Sequence, residues 1–291
     1  MWPCNYKEYS SMLTTNKVAA ITTARNDPMF IEKWVRYYGD QFGRKNLYIF
    51  LDGHDQDLPK GAAEVNRLFL PHTPLNRVPA DRRRARLMSD FARGLFRYYD
   101  SVIVTDVDEF LIVDPDLNIP LPEYLLQIKK KASVSALGLD VGQHLETEDA
   151  LDVTRPFLGQ RKYAHLSSRY TKPSIAFRPV TWGSGMHRIK GKNFSIDPNL
   201  FLFHFGMLDY QLSVGKTACS DRLKSGWAGH LFRRKKLFQV IAEATPIEGD
   251  TCFEAARRYQ TWHRPVYALN KPRQIPGNPV VIIPDRFRYI V

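Results

Sequence analysis

The stretch SVIVTDVDEF, residues 101–110, decides the fold. Its first half is short and apolar on both faces, which is typical of a central strand in a parallel sheet covered by helices. Its second half places Asp106, Asp108 and Glu109 directly after that strand. Open α/β sheets bind their ligands beyond the carboxyl ends of the strands. We therefore expect a binding crevice at these carboxylates.

The segments around this stretch alternate between strand and helix patterns. Before it, we predict strands at residues 18–24, 46–51 and 65–70, and helices at residues 28–41 and 79–99. After it, we predict a helix at residues 121–131, strands at residues 133–139, 175–180 and 200–205, and helical pieces within residues 210–241. Asp27 and Pro28 supply a cap and a first-turn proline for the first helix. This alternation predicts a doubly wound, Rossmann-like α/β sheet, mostly parallel and flanked by helices.

The first two predicted strands end in polar and charged side chains. The candidates there for binding a phosphate, ribose or nucleobase are Thr23, Arg25, Asn26 and Asp52. The alternative for Asn26 and Asp52 is a structural role in the turns that follow the strands. Lys172, later in the chain, is a further candidate for donor binding.

Asp106 and Asp108 are the candidate metal ligands. Residues two apart in an extended stretch point the same way, so both carboxylates can face one ion. Such hard ligands suit Mn²⁺ or Mg²⁺, whose coordination substrate phosphates complete. Two other Asp-x-Asp pairs, at residues 55–57 and 114–116, lie in turn-like contexts where aspartate caps backbone amides. We interpret those two pairs as structural.

Two histidines are candidates for the same site. His204 lies in LFLFHF, residues 200–205, and is either a third metal ligand or a hydrogen-bonded core residue. His187 ends WGSGMH, residues 182–187, where Gly183 and Gly185 permit close approach of a ligand.

Composition excludes several classes of protein. The chain has 17 Phe, 14 Tyr and 5 Trp, which rules out intrinsic disorder. Its three cysteines, Cys4, Cys219 and Cys252, lie far apart, as expected for a reducing compartment without a cysteine zinc site. No apolar run reaches the ~20 residues that span a bilayer, and residues 1–17 lack a signal-peptide pattern. We expect a cytoplasmic protein.

The net charge of +12 points to an anionic partner. Nucleic acid, nucleotide phosphates and an anionic membrane face all fit such a field. The charge is concentrated at residues 82–86 and 233–236, and the second cluster is flanked by Trp227, Leu231, Phe232, Leu237 and Phe238. Basic residues beside exposed aromatics predict peripheral, salt-reversible contact with an anionic membrane. The alternative is a basic helix whose aromatic residues belong to the core.

The runs ITTARNDPMFIEKWVRYYGDQFG (residues 21–43), LYIFLDG (47–53) and VIVTDVDEFL (102–111) together resemble glycosyltransferases of the GT-A fold. The resemblance is to bacterial family 2 members that share features with the family 92 galactosyltransferases. Trp34, Tyr38 and Gly43 match the first helix of that group, and the sequences SGMH and FHFG match later motifs. Asp27 replaces the usual glutamate, and Asp40 stands near the usual histidine.

The resemblance implies a metal-dependent transfer, inverting at the anomeric carbon, from a nucleotide-sugar, such as a UDP-sugar, to a hydroxyl of a saccharide or glycolipid. The metal would neutralise the departing diphosphate, and a carboxylate or imidazole would deprotonate the acceptor. No Asp or Glu occurs from Arg155 through Ile196. Asp140 is the leading candidate for the base, and His187 is the non-acidic one.

The resemblance spans about residues 19–216. We therefore expect a GT-A catalytic domain over residues 1–216, with a nucleotide-binding half at about 18–113 and an acceptor half at about 114–216. Residues 217–291 match no motif of the family and are expected to form a helical or irregular extension packed on the same domain.

Two other functions compete with sugar transfer. A nucleotidyltransferase also uses acidic metal ligands on an α/β sheet, but residues 24–27 lack the glycine-rich loop that usually follows its first strand. A basic nucleic-acid-binding protein explains the charge but not the acidic strand end, and the chain carries no recognisable nucleic-acid-binding motif. The absence of GxxxxGK[ST], HExxH and GxSxG removes the P-loop, zinc-protease and hydrolase interpretations.

Overall fold

The computed structural model describes residues 17–128, 131–218 and 228–291. The core of its sheet is a run of parallel strands in the spatial order third, second, first, fourth. They are β1 (Val18–Ala24), β2 (Leu47–Asp52), β3 (Asn66–Leu70) and β4 (Ser101–Val104). β1 and β4 are almost entirely buried because helices cover the sheet on both faces.

Two helices flank this parallel core. They are α1 (Pro28–Phe42) and α2 (Arg77–Leu95). α1 packs on one face through Trp34 and Tyr38, and α2 packs on the other through residues that include Met88. Trp34 Nε1 donates to Thr105 Oγ1 at 3.1 Å, and Tyr38 OH accepts from the Leu111 N–H at 2.8 Å. These bonds hold the backbone on both sides of the acidic residues 106–109.

The remaining strands extend the sheet with mixed directions. They are β5 (Glu109–Val113), β6 (Ser133–Gly142), β7 (Tyr163–Leu166), β8 (Ile175–Ala176), β9 (Ile196–Met207), β10 (Ile247–Glu248) and β11 (Val280–Ile282). β8 runs antiparallel between β4 and β6. β6 pairs in parallel with β9, and β9 pairs antiparallel with β5. The other helices are α3 (Leu121–Ile128), α4 (Tyr210–Ala218), α5 (Ala228–Glu243) and α6 (Gly249–Trp262).

Strand register places three polar residues in one row. His204 of β9 is opposite Asp140 of β6 on one side and opposite Glu109 of β5 on the other. All three are buried. Because residues paired across neighbouring strands lie about 5 Å apart, this register alone brings distant parts of the sequence to the end of β4.

The predicted α/β class, with a parallel core and flanking helices, is confirmed. The sheet as a whole is mixed rather than mostly parallel, because β5, β7, β8 and β11 each run antiparallel to a neighbour. The strand predicted at residues 175–180 stops at Ala176. Pro179, three residues further on, lacks the N–H that a longer strand ladder would need. The sequence analysis missed β5, β7, β10, β11 and α6. The division of the catalytic domain into a nucleotide-binding half and an acceptor half at about residue 113 stays a prediction.

The C-terminal part of the chain is tied to the sheet at two points. β11 pairs antiparallel with β7. Arg286 donates to both carboxylate oxygens of Asp114, at 2.7 and 3.0 Å, and to both of Asp250, at 2.7 Å each. Asp114 also accepts from the Asp116 N–H at 3.2 Å, which is the capping role predicted for it.

The described residues contain no helix that combines the length and the apolar character needed to cross a membrane. Leu237 and Phe238 of α5 are buried, so they belong to the core rather than to an exposed aromatic flank. The rest of that predicted membrane contact lies outside the described side chains: Trp227, Leu231, Phe232, Arg233 and Arg234. Residues 1–16, with Cys4, and Cys219 are also outside the described residues.

Candidate active site

The carboxyl ends of β1, β2 and β4 open onto one cavity of about 1490 Å³. Most of the residues predicted from the sequence line it. They are Thr23, Arg25, Asn26, Asp52, Asp106, Asp108, His187 and His204. Asp140 and Lys172 are buried behind that wall, Asp140 against His204 and Lys172 against Asp106.

The carboxylates after β4 sit in a tight turn. The Asp106 carbonyl accepts from the Glu109 N–H at 3.0 Å, and Glu109 Oε2 accepts from the Asp106 N–H at 3.0 Å. The prediction that residues 106–108 are extended is therefore wrong. Glu109 closes the turn and begins β5, while Asp106 and Asp108 both still line the cavity.

Asp106 is held by two cations of the protein. Arg84 Nη1 lies 3.0 Å from Asp106 Oδ1, and Lys172 Nζ lies 3.3 Å from Asp106 Oδ2 and 2.6 Å from Glu109 Oε1. Burial opposes ionisation of Asp106, but Arg84 and Lys172 outweigh it and hold the pKa of that carboxyl below its ordinary value. We call Arg84, Asp106, Glu109 and Lys172 the inner cluster. Burial raises the pKa of Glu109 in the same cluster, although the charge of Lys172 opposes that rise.

His204 is placed by three neighbours. Its Nδ1 lies 2.8 Å from Asp140 Oδ1, its Nε2 lies 3.4 Å from Asp108 Oδ2, and its ring stacks on Tyr170 with 3.9 Å between centroids. Burial would lower the pKa of His204, but the carboxylates of Asp108 and Asp140 raise it to about 10. Asp140 accepts a hydrogen bond from His204 Nδ1, and its role as a base stays a prediction. A carboxylate on the far nitrogen is the usual partner of a metal-binding histidine.

Gly206 leaves open space beside Asp108 and His204. A β-carbon at this position would lie 2.8 Å from His204 Nε2 and 2.9 Å from Asp108 Oδ2. Both distances are shorter than ordinary contacts, so any side chain here would displace one of the two groups or fill the space between them. The glycine therefore keeps open a small cradle that faces an oxygen and a nitrogen ligand.

The three predicted metal ligands, Asp106, Asp108 and His204, do not form a three-residue metal-binding group. Within the described ranges, no group of three or more His, Cys, Asp or Glu side chains is placed to hold a metal ion. Asp106 is bound by Arg84 and Lys172, whereas Asp108 and His204 remain together at the cradle. Two such ligands fit Mn²⁺ or Mg²⁺ when His204 gives up its Nε2 proton and phosphate oxygens and water complete the coordination.

His187 faces the cavity from a glycine-containing turn. Its Nδ1 lies 2.9 Å from the Arg169 carbonyl, which only accepts, so Nδ1 carries the proton and Nε2 is left as an acceptor. Burial, and then the charge of Lys172, lower the pKa of His187 to about 3. Gly185 adopts φ 65°, and a β-carbon there would lie 2.7 Å from His187 Nε2. The ring is therefore neutral and held closely over Gly185.

The ends of β1, β2 and β3 and the segments after them form a second group of charges, which we call the rim cluster: Arg25, Asp52, Asp55 and His72. Arg25 donates to Asp55 through two nitrogens, at 2.9 and 3.1 Å, and to the Asp52 carbonyl at 2.6 Å. His72 Nδ1 lies 3.1 Å from Asp52 Oδ2. The hydrogen bond from Arg25 lowers the pKa of Asp55 to about 2. Asn26 has φ 53° and donates its N–H to Gln56 Oε1 at 3.0 Å, so it also shapes the turn.

Sequence reasoning missed several residues of the cavity wall. Asp55 was interpreted as a backbone cap but binds Arg25. The sequence analysis treated Arg84 only as one member of the basic cluster at residues 82–86. The signal for it was the helical spacing of Asp81, Arg84 and Met88, which puts Arg84 on the inward stripe of α2. Tyr170 had no motif that could have marked it.

Comparison with known proteins identifies no family for this chain. No family model matches the chain, and no curated protein matches it. One similar solved structure is a mannose-1-phosphate geranyltransferase from Thermus thermophilus, with 9% identity over 91% of this chain and 73% of that chain and a TM-score of 0.28. Another is a CMP:2-keto-3-deoxy-manno-octonic acid synthetase complexed with CTP, with 11% identity over 76% of this chain and 86% of that chain and a TM-score of 0.24. Likeness this low carries no argument about function.

Proposed function

We propose that the protein transfers a sugar from a nucleotide-sugar donor to a hydroxyl of a saccharide or glycolipid acceptor, using Mn²⁺ or Mg²⁺. One observation carries this proposal. A single cavity at the ends of the parallel strands combines the carboxylate–imidazole pair of Asp108 and His204 with cations that suit a diphosphate. The cations in its wall are Arg25, Arg77, Arg83, Arg84, Arg169 and Lys271.

The donor would lie along the line from the rim cluster to the inner cluster. Asp52 and Arg25 at the ends of β2 and β1 can bind a ribose or nucleobase through hydrogen bonds. Arg84 already faces Asp106 from α2 and can share its guanidinium with a phosphate. Asp108 and His204 would hold the metal ion, which neutralises charge on the departing diphosphate.

The acceptor would lie on the side of His187. Its Nε2 is a neutral hydrogen-bond acceptor in the cavity wall, which suits a sugar hydroxyl. Asp140 would not meet the acceptor, because its carboxylate bonds His204 behind the wall. We therefore propose a positioning role for Asp140 and an acceptor-binding role for His187.

Thermal unfolding with UDP, GDP, CMP or a duplex oligonucleotide, each with and without Mn²⁺, tests the proposal. We expect one nucleotide to stabilise the protein only when Mn²⁺ is present. Asp108→Asn should remove the metal-dependent part of that shift, whereas Asp90→Asn, an exposed carboxylate on α2, should not. A retained shift in Asp108→Asn would place the metal elsewhere.

A product assay, added to the unfolding experiment, separates the competing functions. A nucleotidyltransferase would release pyrophosphate from a nucleoside triphosphate and a sugar phosphate, and it would not release UDP from a UDP-sugar. A nucleic-acid-binding protein would be stabilised by the oligonucleotide in a salt-sensitive way without Mn²⁺. Either result would replace the proposal of sugar transfer.

A further inference from the structure

The segment that follows α6 presents apolar side chains to solvent. In residues 262–271, which we call the aromatic loop, Trp262 is 78% exposed, Val266 98%, Tyr267 77% and Leu269 74%. Single exposed apolar residues are common on protein surfaces, but a contiguous group marks an interaction surface.

The backbone of the aromatic loop is anchored, so these side chains are held outward. The Ala268 N–H donates to the Pro265 carbonyl at 3.0 Å, and the Arg273 N–H donates to the His263 carbonyl at 3.0 Å. The Arg264 guanidinium lies 4.1 Å from the centre of the Phe194 ring. Exposure of the apolar groups therefore does not come from loose packing of the loop.

The sequence around the aromatic loop carries basic residues and no acidic ones. No Asp or Glu occurs between Glu254 and Asp285. Arg258 and Arg273 are exposed on either side of the loop, and Lys271 Nζ lies 4.7 Å from the centre of the Tyr267 ring. A surface with this composition is complementary to an anionic layer that has an apolar interior.

The loop also borders the candidate active site. Lys271 lines the cavity, and Asn270 Nδ2 donates to the Ile189 carbonyl at 2.7 Å, close in sequence to His187. A surface that docked through this loop would lie beside the acceptor side of the cavity.

We propose that the aromatic loop docks the protein on an anionic lipid bilayer. Trp262 and Tyr267 would sit at the level of the headgroups, where amphipathic rings are favoured. Val266 and Leu269 would enter the acyl boundary, since their side chains are entirely apolar. Arg258 and Arg273 would contact lipid phosphates.

Co-sedimentation with vesicles tests the docking and needs no nucleotide or sugar, so its result is independent of the proposed transfer. The vesicles are phosphatidylcholine alone or with about one third phosphatidylglycerol. We expect binding to the anionic vesicles only, and a loss of more than tenfold in the double variant Trp262→Ser, Tyr267→Ser. Arg258→Gln and Arg273→Gln should each lose about fivefold.

Tyr98→Ser is the matched control. Tyr98 is 79% exposed and lies near the amino ends of β1 and β4, away from the cavity edge of the sheet. Binding that is unchanged in the aromatic-loop variants but lost in Arg233→Gln, Arg234→Gln would place the contact on α5 and overturn the proposal. So would sedimentation equilibrium that shows a dimer dissociated by Trp262→Ser, or equal binding to neutral vesicles.

Discussion

The rim cluster and the inner cluster both contain ion pairs, but the two clusters differ in how far water reaches those pairs. In the rim cluster Asp55 is 68% exposed, so water competes for its bonds with Arg25. In the inner cluster Lys172 is 1% exposed and bonds two carboxylates. A ligand can replace the first set of bonds at small cost, whereas breaking the second leaves a buried charge unpaired. We infer that the rim adapts to the donor and the inner cluster does not.

The two clusters also differ in how the chain builds them. The rim cluster comes from the ends of neighbouring strands β1, β2 and β3 and the segments that follow them. The inner cluster joins α2, the turn after β4 and the segment that precedes β8. The inner cluster therefore needs α2 and the segment before β8 to pack on the sheet, while the rim needs only the pairing of β1, β2 and β3.

The largest effect is expected from Lys172→Met. Removing this cation leaves Glu109 buried beside the carboxylate of Asp106, and such an uncompensated charge costs about 3–5 kcal/mol. Urea unfolding followed by circular dichroism measures the loss.

Arg25→Met is the comparison for that experiment, since it removes the rim ion pair and keeps a similar length of side chain. We expect a much smaller loss of stability, because water replaces the bond to Asp55. Equal losses in the two variants would contradict the contrast between the clusters.

The sequence identified residues at strand ends better than the ion pairs between them, for a physical reason. Strand ends are local features, so Arg25 and Asp52 followed from the periodicity of residues 18–24 and 46–51. Asp106, Asp108 and His204 were found through their position after apolar strands. The ion pairs of Arg84 and Lys172 were not, because they depend on packing between segments far apart in sequence. Strand β5 was missed because the turn at residues 106–109 looked like a continuous strand end.

Gly206→Ala tests the open cradle beside the inner cluster. The new β-carbon would lie within 3 Å of both His204 Nε2 and Asp108 Oδ2 and must displace one of them. We expect Mn²⁺-dependent nucleotide binding, measured by calorimetry, to weaken by about 100-fold, the upper end of the loss in metal affinity that follows when the surroundings of a metal ligand are disturbed.

Gly94→Ala is the matched control, since no atom lies within 4 Å of a β-carbon there. That change, near the end of α2, should leave nucleotide binding unaltered and leave stability equal or slightly higher. If Gly206→Ala bound nucleotide and Mn²⁺ normally, the cradle would not be the metal position.

Asp140→Asn should have a smaller effect on the same measurement. The amide keeps the size of the side chain but loses the charge that orients His204 through Nδ1. Loss of such a partner lowers metal affinity by about 10–100-fold. A binding curve for Mn²⁺ at a fixed nucleotide concentration measures it. A role as catalytic base predicts a different result, in which metal affinity is unchanged and only turnover falls.

The smallest effect is the titration of Asp55 in the rim cluster. Its pKa of about 2 comes first from the hydrogen bond with Arg25, so Arg25→Met should move the midpoint up toward the ordinary aspartate value of about 3.9. Because the folded-state pKa is lowered, the bond contributes stability above the unfolded-state pKa and loses it as the pH falls through about 2. Carboxyl carbon NMR between pH 1.5 and about 5 measures the midpoint in both proteins.

Since Asp55 is exposed, its protonation should proceed without unfolding the sheet. An Asp55 midpoint that Arg25→Met does not move, or one that coincides with global unfolding, would show that the rim is coupled to the core as tightly as the inner cluster is.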